Sequence, residues 1–202
     1  MESCITFKNL SIGYRPKHQL RVIASAVSAS LHPGELTCLI GANGVGKSTL
    51  LRTLCGFQPA LDGEILLQDQ PLSAYPAQQL ARQIGVVLTS RIDVPQLSVR
   101  EIVGIGRSPY TNFWGTLTPA DQQIVDEAIH QVGIPHLAQR NISELSDGER
   151  QKTMIAKALA QHTPLILLDE PTAFLDYPSK VETLQMLRRL AHELHKSIFL
   201  ST

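Results

Sequence analysis

The sequence predicts an α/β protein: a parallel-sheet core, an antiparallel β segment ahead of it, and a helical insertion within it. Three observations predict this. The apolar run Leu36-Thr37-Cys38-Leu39-Ile40 is followed by a glycine turn and then by Leu50-Leu51-Arg52-Thr53-Leu54, which is the order strand, tight loop, helix. Short unbroken apolar runs at 84–88 and 165–168, and a further run at 197–200, have the length and texture of buried parallel strands. Between the first two of these, from Thr89 onward, about seventy residues change to helical spacing.

Taken in order, residues 5–10 and 22–31 alternate loosely and predict antiparallel strands, with Tyr14-Arg15-Pro16 in the turn between them. His32-Pro33-Gly34-Glu35 is a turn into the strand before the glycine loop. Cys55-Gly56 ends the helix that follows, and Asp62-Gly63 introduces a short strand at 64–67. Residues 76–82 predict a short helix. Helical spacing at 98–106 and 119–132 is joined by the aromatic loop Tyr110-Thr111-Asn112-Phe113-Trp114-Gly115. A helix over 147–161, the strand 165–168, a helix over 179–195 and the strand 197–200 complete the chain. The division is therefore an α/β core over 1–88 and 159–202, with a helical lobe over 89–158.

Composition narrows the function. The 202 residues are 43% hydrophobic and 18% charged, and Lys+Arg and Asp+Glu balance at 18 each. That balance gives no surface for a polyanion, so nucleic acid is not an expected partner. No apolar run approaches the roughly 20 residues of a membrane helix. Met1-Glu2-Ser3-Cys4 shows no basic-then-apolar secretion signal, which predicts a cytoplasmic chain. Cys4, Cys38 and Cys55 lie in apolar segments and are expected to be buried free thiols.

Gly41-Ala42-Asn43-Gly44-Val45-Gly46-Lys47-Ser48-Thr49 fits the phosphate-binding spacing G-x-x-x-x-G-K-[ST]. Glycines let the backbone wrap an anion, and the following helix adds partial positive charge at its N-terminus. Lys47 is placed to bridge β- and γ-phosphates, and the Ser48 hydroxyl to ligate Mg²⁺. Leu165-Ile166-Leu167-Leu168-Asp169-Glu170 brings two carboxylates to the C-terminal end of a buried strand, where α/β ligands bind. Asp169 would hold Mg²⁺ through water, and Glu170 would orient or deprotonate an attacking water. Leu145-Ser146-Asp147-Gly148-Glu149 opens a helix with a capping box, Ser146 as N-cap and Glu149 reaching back, and such a tip also makes a second anion site.

These segments together resemble the ATP-binding-cassette (ABC) ATPases over essentially the whole chain. Residues 41–49 match the family's Walker A loop, 165–170 its Walker B strand, and Leu145-Ser146-Asp147-Gly148-Glu149 its LSGGQ signature. Ala173-Phe174-Leu175-Asp176 matches the D-loop, and Tyr14 the aromatic that stacks on adenine. The resemblance implies a RecA-like P-loop core with an N-terminal antiparallel β subdomain and an inserted helical subdomain. It implies ATP and Mg²⁺ as ligands and a head-to-tail homodimer. In that dimer Ser146, Gly148 and Glu149 of the signature face the γ-phosphate bound by the other copy, and Asp176 crosses the interface. Asp147 stands where the family usually has glycine, so its side chain is expected to point away from the phosphate.

Two departures stand out. The family places a glutamine just after the strand at 84–88; Thr89-Ser90 stand there instead, with Thr89 as the candidate to touch metal-bound water. The family's switch histidine would follow Ser201-Thr202, where the sequence given stops, so the chain is expected to be truncated before it. Loss of one such donor is expected to cost on the order of a hundredfold in rate. The segment from Leu97 to Tyr110 is similar to the helical lobe of importers for iron-siderophores, haem and cobalamin. That similarity implies transmembrane permease subunits as partners, a periplasmic or surface binding protein acting indirectly, and a peripheral place on the cytoplasmic face of the membrane. The aromatics Tyr110, Phe113 and Trp114 either receive a permease helix or pack the lobe's own core. A non-transport ABC ATPase and a remnant that only binds nucleotide are the alternatives.

Overall fold

The computed structural model describes residues 3–15, 19–89 and 96–202. Met1, Glu2, Pro16 and Ser90 therefore lie outside the described residues.

Two four-stranded sheets carry the chain. The first is antiparallel and contains β1 (Ile5–Tyr14), β2 (Arg21–Leu31), β4 (Asp62–Leu67) and β5 (Gln70–Pro71), in the order β2-β1-β4-β5. The second is parallel and contains β3 (Leu36–Leu39), β6 (Ile84–Val87), β7 (Leu165–Leu168) and β8 (Ser197–Ser201), in the order β3-β8-β7-β6. Helix α1 (Lys47–Leu54) follows the glycine loop and α2 (Ala77–Leu80) precedes β6. Helices α3 (Val99–Ile105), α4 (Pro119–Gln131) and α5 (Asp147–Ala160) form the insertion, and α6 (Tyr177–Glu193) joins β7 to β8. The order of elements is the expected one.

The apolar run of β7 has a simple cause. Side chains alternate across a strand, so a strand covered on both faces is apolar throughout. Leu165, Leu167 and Phe199 pack with Leu50, Leu51 and Leu54 of α1 and with Phe7, Leu10 and Ile12 of the antiparallel sheet. Ile166, Leu168, Ile198 and Leu200 point the other way, toward Ile155 and Leu159 of α5 and Leu187 and Leu190 of α6. One sheet thus joins two cores. The helical lobe adds Ile102, Val103, Val125 and Ile129 to the second of them.

Boundaries shift where turn chemistry allows extension. Asp62 and Gly63 belong to β4 itself, because both lie beside β1 and Asp62 pairs with Ser11. Helix α6 starts at Tyr177 rather than at Ser179, since Pro178 sits in its first turn, where a missing N–H costs nothing. Helix α2 is only four residues long and begins after Pro76. Of the three cysteines, Cys4 and Cys55 are buried, but Cys38 is exposed. The expectation of a buried thiol fails there because β3 is an edge strand and none of its residues is fully covered.

Every helix of the lobe has a reciprocal cap. Ser98 and Glu101 cap α3, Thr118 and Asp121 cap α4, and Ser146 and Glu149 cap α5. In each the serine or threonine donates its hydroxyl and backbone N–H to the carboxylate, which lies below its usual pKa mainly for that reason. Asp121 does more. Its Oδ1 accepts from Arg107 Nε at 2.9 Å in a buried ion pair, while Arg107 Nη1 donates to Ala160 O at 2.8 Å. The Arg107 guanidinium also lies 4.0 Å from the centre of the Tyr110 ring. The α3–α4 corner is thereby fixed to the end of α5.

Removing one partner of a buried pair strands the other charge. Asp121→Ala is expected to lower stability by about 3 kcal/mol, read as a fall in the urea midpoint. Carboxyls held low in the folded state contribute stability above their unfolded pKa and lose it as pH falls through the folded one. Below the ordinary value of 3.8 for Asp121, the wild-type protein should therefore lose stability with acid more steeply than Asp121→Ala, a difference visible by circular dichroism.

Candidate functional site

The loop between β3 and α1 turns through two left-handed glycines, Gly44 at φ +80° and Gly46 at φ +111°. At Gly46 a Cβ would also overlap Ile23 Cγ2, so both conformation and space require glycine there. The turn starts α1 at Lys47 with the first amides of the helix directed into the loop. The Lys47 side chain is buried, and its ammonium donates to Gly41 O at 2.8 Å and Ala42 O at 3.3 Å. It also lies 3.5 Å from Glu170 Oε1. The cation is thus folded back on its own loop, held by groups that a phosphate can replace.

Beside it stands Tyr14, at the end of β1. Its hydroxyl hydrogen-bonds with that of Thr49 at 3.0 Å, and its ring stays 42% exposed. Tyr14, Arg21, Lys47, Ser48 and Glu170 wall one cavity of about 270 Å³. The expected adenine platform, phosphate loop and base therefore share a single cavity.

The two carboxylates that follow β7 are placed by three strands. Asp169 N–H donates to Val87 O at 2.8 Å, continuing the β6–β7 ladder past its end. Asp169 Oδ1 accepts from Ser48 Oγ at 3.0 Å and from Ser201 Oγ at 2.9 Å. Ser201 Oγ in turn accepts from Glu170 N–H at 2.9 Å. Thr89 Oγ1 donates to Asp169 O at 2.9 Å. Glu170 itself has φ +48°, an unusual backbone for a non-glycine residue and one that concentrates at functional sites. That twist turns its side chain out of the strand toward Lys47.

The expected metal residues are close enough to act together. Ser48 and Asp169 are directly bonded and Thr89 bonds the Asp169 carbonyl. A hydroxyl and one carboxylate are hard oxygen donors, and among the described residues no group of three or more His, Cys, Asp or Glu forms a metal cage. That donor set fits Mg²⁺, which keeps several waters and takes further ligands from substrate phosphates.

The tip of α5 is a separate site. Ser146 N–H and Oγ both donate to Glu149 Oε2 at 2.8 Å, and Glu149 N–H returns a bond to Ser146 Oγ at 3.3 Å. Ser146 is exposed and Gly148 half-exposed. Glu149 serves the cap, which satisfies the helix end and keeps the tip rigid. Asp176 is exposed at the start of α6. None of Ser146, Gly148, Glu149 or Asp176 lines the cavity of Lys47 in the same chain.

Phe113 and Trp114 are 95% and 83% exposed and meet edge to face at 5.5 Å. They do not pack the lobe's core. Tyr110 does contribute to packing, stacked on Arg107 and within 5.0 Å of the Arg82 guanidinium.

Reading the residues in sequence missed Ser201, which bridges both carboxylate positions; its place at the C-terminal end of a parallel strand beside Asp169 was the available signal. It also missed Gln151, which reaches the same region from α5.

A family model described as ABC transporter matches residues 24–173. The chain is 40% identical over 191 residues to an ABC transporter ATP-binding protein of Methanocaldococcus jannaschii, covering 95% of this chain and 64% of that protein. It is 35% identical to the iron(3+)-hydroxamate import ATP-binding protein of Bacillus subtilis, covering 97% of this chain and 71% of that protein. A metal-chelate type ABC transporter solved in an inward-facing conformation superimposes with a TM-score of 0.83 at 31% identity, over 100% of this chain and 73% of that one. The sequence given thus spans roughly two thirds of the length of these relatives.

Because Ser201 Oγ is acceptor for Glu170 N–H and donor to Asp169 at once, Ser201→Ala leaves the Glu170 N–H without its acceptor and Asp169 Oδ1 with Ser48 alone. It is expected to cost about 1–3 kcal/mol, measured by urea unfolding, whereas Ser201→Thr should retain most of that stability.

Proposed function

The chain belongs to the ABC transporter family, and on that premise we propose that it is the ATP-binding and hydrolysing subunit of an importer for an iron complex (siderophore or haem) or cobalamin. The observation that carries the ATPase part is the meeting of Lys47, Ser48 and Glu170 around one cavity, with Ser48 bonded directly to Asp169 and Lys47 3.5 Å from Glu170.

In this reading Tyr14 stacks on adenine and the amides of residues 41–49 bind the phosphates. Lys47 leaves the Gly41 and Ala42 carbonyls for β- and γ-phosphate oxygens. Ser48 and Asp169 would hold Mg²⁺, which when bound neutralises charge on the β- and γ-oxygens. Glu170 orients the attacking water and takes its proton. Thr89 fixes the Asp169 carbonyl and would offer its lone pairs to water on the metal.

A second copy completes the site. The Ser146–Gly148 tip is exposed, rigidly capped and outside its own chain's phosphate cavity. A head-to-tail homodimer would set that tip, with Glu149 behind it, against the γ-phosphate held by the other copy, and Asp176 would cross the interface. Residues 1–88 and 159–202 would then act as the nucleotide-binding core, and 89–158 as the lobe that brings the signature.

The importer part is supported by the sequence from Leu97 to Tyr110 and by the names of relatives such as the hydroxamate importer. Transmembrane permease subunits would dock where Phe113 and Trp114 project, at the cytoplasmic face of the membrane, and a periplasmic or surface binding protein would act through them. Among the described residues no helix is long and apolar enough to cross a membrane. Attachment in this reading is peripheral, through the permease subunits. The balanced charge gives no reason to add a nucleic acid partner.

Removing the base while keeping the binding groups should trap the closed state. Glu170→Gln is expected to retain ATP–Mg²⁺ and elute as a dimer in size-exclusion chromatography with ATP, as a monomer without it, and to hydrolyse at least a hundredfold more slowly than wild type. An ATP-independent elution volume, or wild-type turnover in Glu170→Gln, would overturn the proposal.

A further inference from the structure

Helix α5 begins at its capped tip and, just over one turn in, sets Gln151 beside the turn after β7. The Gln151 amide nitrogen is buried and meets no acceptor among the described residues. Gln151 lines a cavity of about 60 Å³ together with Thr89, Asp169 and Glu170, and Asp147 and Arg150 are the other charged groups facing it.

A buried donor without an acceptor is unfavourable, and native proteins satisfy such groups with protein or with ordered water. Water needs roughly 10–15 Å³ of such volume and two to four polar partners, and this cavity offers both. Gln151 supplies N–H donors. Thr89 has committed its proton to Asp169 O and offers lone pairs. Glu170 lines the same cavity, and its carboxylate, 3.5 Å from Lys47 at Oε1, is an acceptor.

We propose that Gln151 is a positioning residue: through a water in this cavity it holds the Glu170 carboxylate and ties the tip of α5 to the catalytic base of its own chain. The proposal rests on the ATPase reading above. It also accounts for the missing glutamine after β6. With Thr89 at that place, a side-chain amide reaches the Walker B turn from α5 instead. A γ-phosphate arriving at Ser146 from the other copy would then be felt at Glu170 through a single helical turn.

The test compares Gln151→Ala and Gln151→Glu with wild type in steady-state ATP hydrolysis, alongside the side-chain amide resonance of Gln151 in nucleotide-free ¹⁵N-labelled protein. Gln151→Ala should lower kcat about tenfold with little change in KM for ATP or in melting temperature. Gln151→Glu, which keeps the side chain's size but loses its N–H donors, should lower kcat to a similar extent, again with little change in KM or in melting temperature. The Gln151 amide resonance, identified by its loss in Gln151→Ala, should shift on Glu170→Ala. Unchanged kcat in Gln151→Ala, or an amide resonance indifferent to Glu170→Ala, overturns the proposal. A shifted resonance in a chain that hydrolyses no ATP keeps the Gln151–Glu170 link and sinks only the ATPase reading.

Discussion

A single carboxylate oxygen ties the phosphate loop to the ends of two parallel strands. Asp169 Oδ1 receives one hydroxyl from Ser48, at the start of α1, and another from Ser201, at the end of β8. It is carried by the end of β7, so three elements distant in sequence converge on one atom. Charge-assisted bonds of this kind are about twice as strong as neutral ones. Their geometric effect matters as much. Ser48 cannot drift from Asp169, so the phosphate loop and the Walker B turn keep their separation before any nucleotide arrives.

The layered core supports that atom. β7 is buried on both faces, so its end is a rigid platform rather than a loop. From that platform the chain reverses through Glu170 at φ +48°, and the Ser201 hydroxyl caps the reversed amide. The antiparallel sheet contributes Tyr14 and Ile23 on the open side of the glycine loop. The helical lobe is built differently. Three reciprocal caps fix where its helices begin, the buried Arg107–Asp121 pair ties α3 and α4 to the end of α5, and the capped start of α5 is the surface a second copy would read.

Most of this was legible in the sequence, for identifiable reasons. Glycine spacing, the double carboxylate after an apolar run and the S-x-x-E cap are local signals, each dictated by chemistry within a few residues. The features that escaped are non-local. Ser201 is an ordinary strand residue until β7 and β8 pair; Gln151 is an ordinary helix residue until α5 lies against the turn after β7. Arg107 and Asp121 carry no mark of pairing until α3 meets α4. Cys38 misled in the opposite sense, because an apolar run does not reveal which strand forms the sheet edge. The exposure of Phe113 and Trp114 was likewise undecidable from spacing, since a core aromatic and an interface aromatic read alike.

In the proposed dimer two separate half-sites, the phosphate loop of one copy and the α5 tip of another, close on one nucleotide. Thiol cross-linking tests that closure most directly. Cys4 and Cys55 are buried, their thiols pushed up to about 11 and about 12 by desolvation, so they stay unreactive, and the exposed Cys38 can be replaced by serine. With Cys38→Ser as background, Val45→Cys in one copy and Ser146→Cys in the other should form an intermolecular disulfide on mild oxidation with ATP and Mg²⁺, and little without them. Cross-linking that is absent, or equal with and without nucleotide, would contradict the shared site.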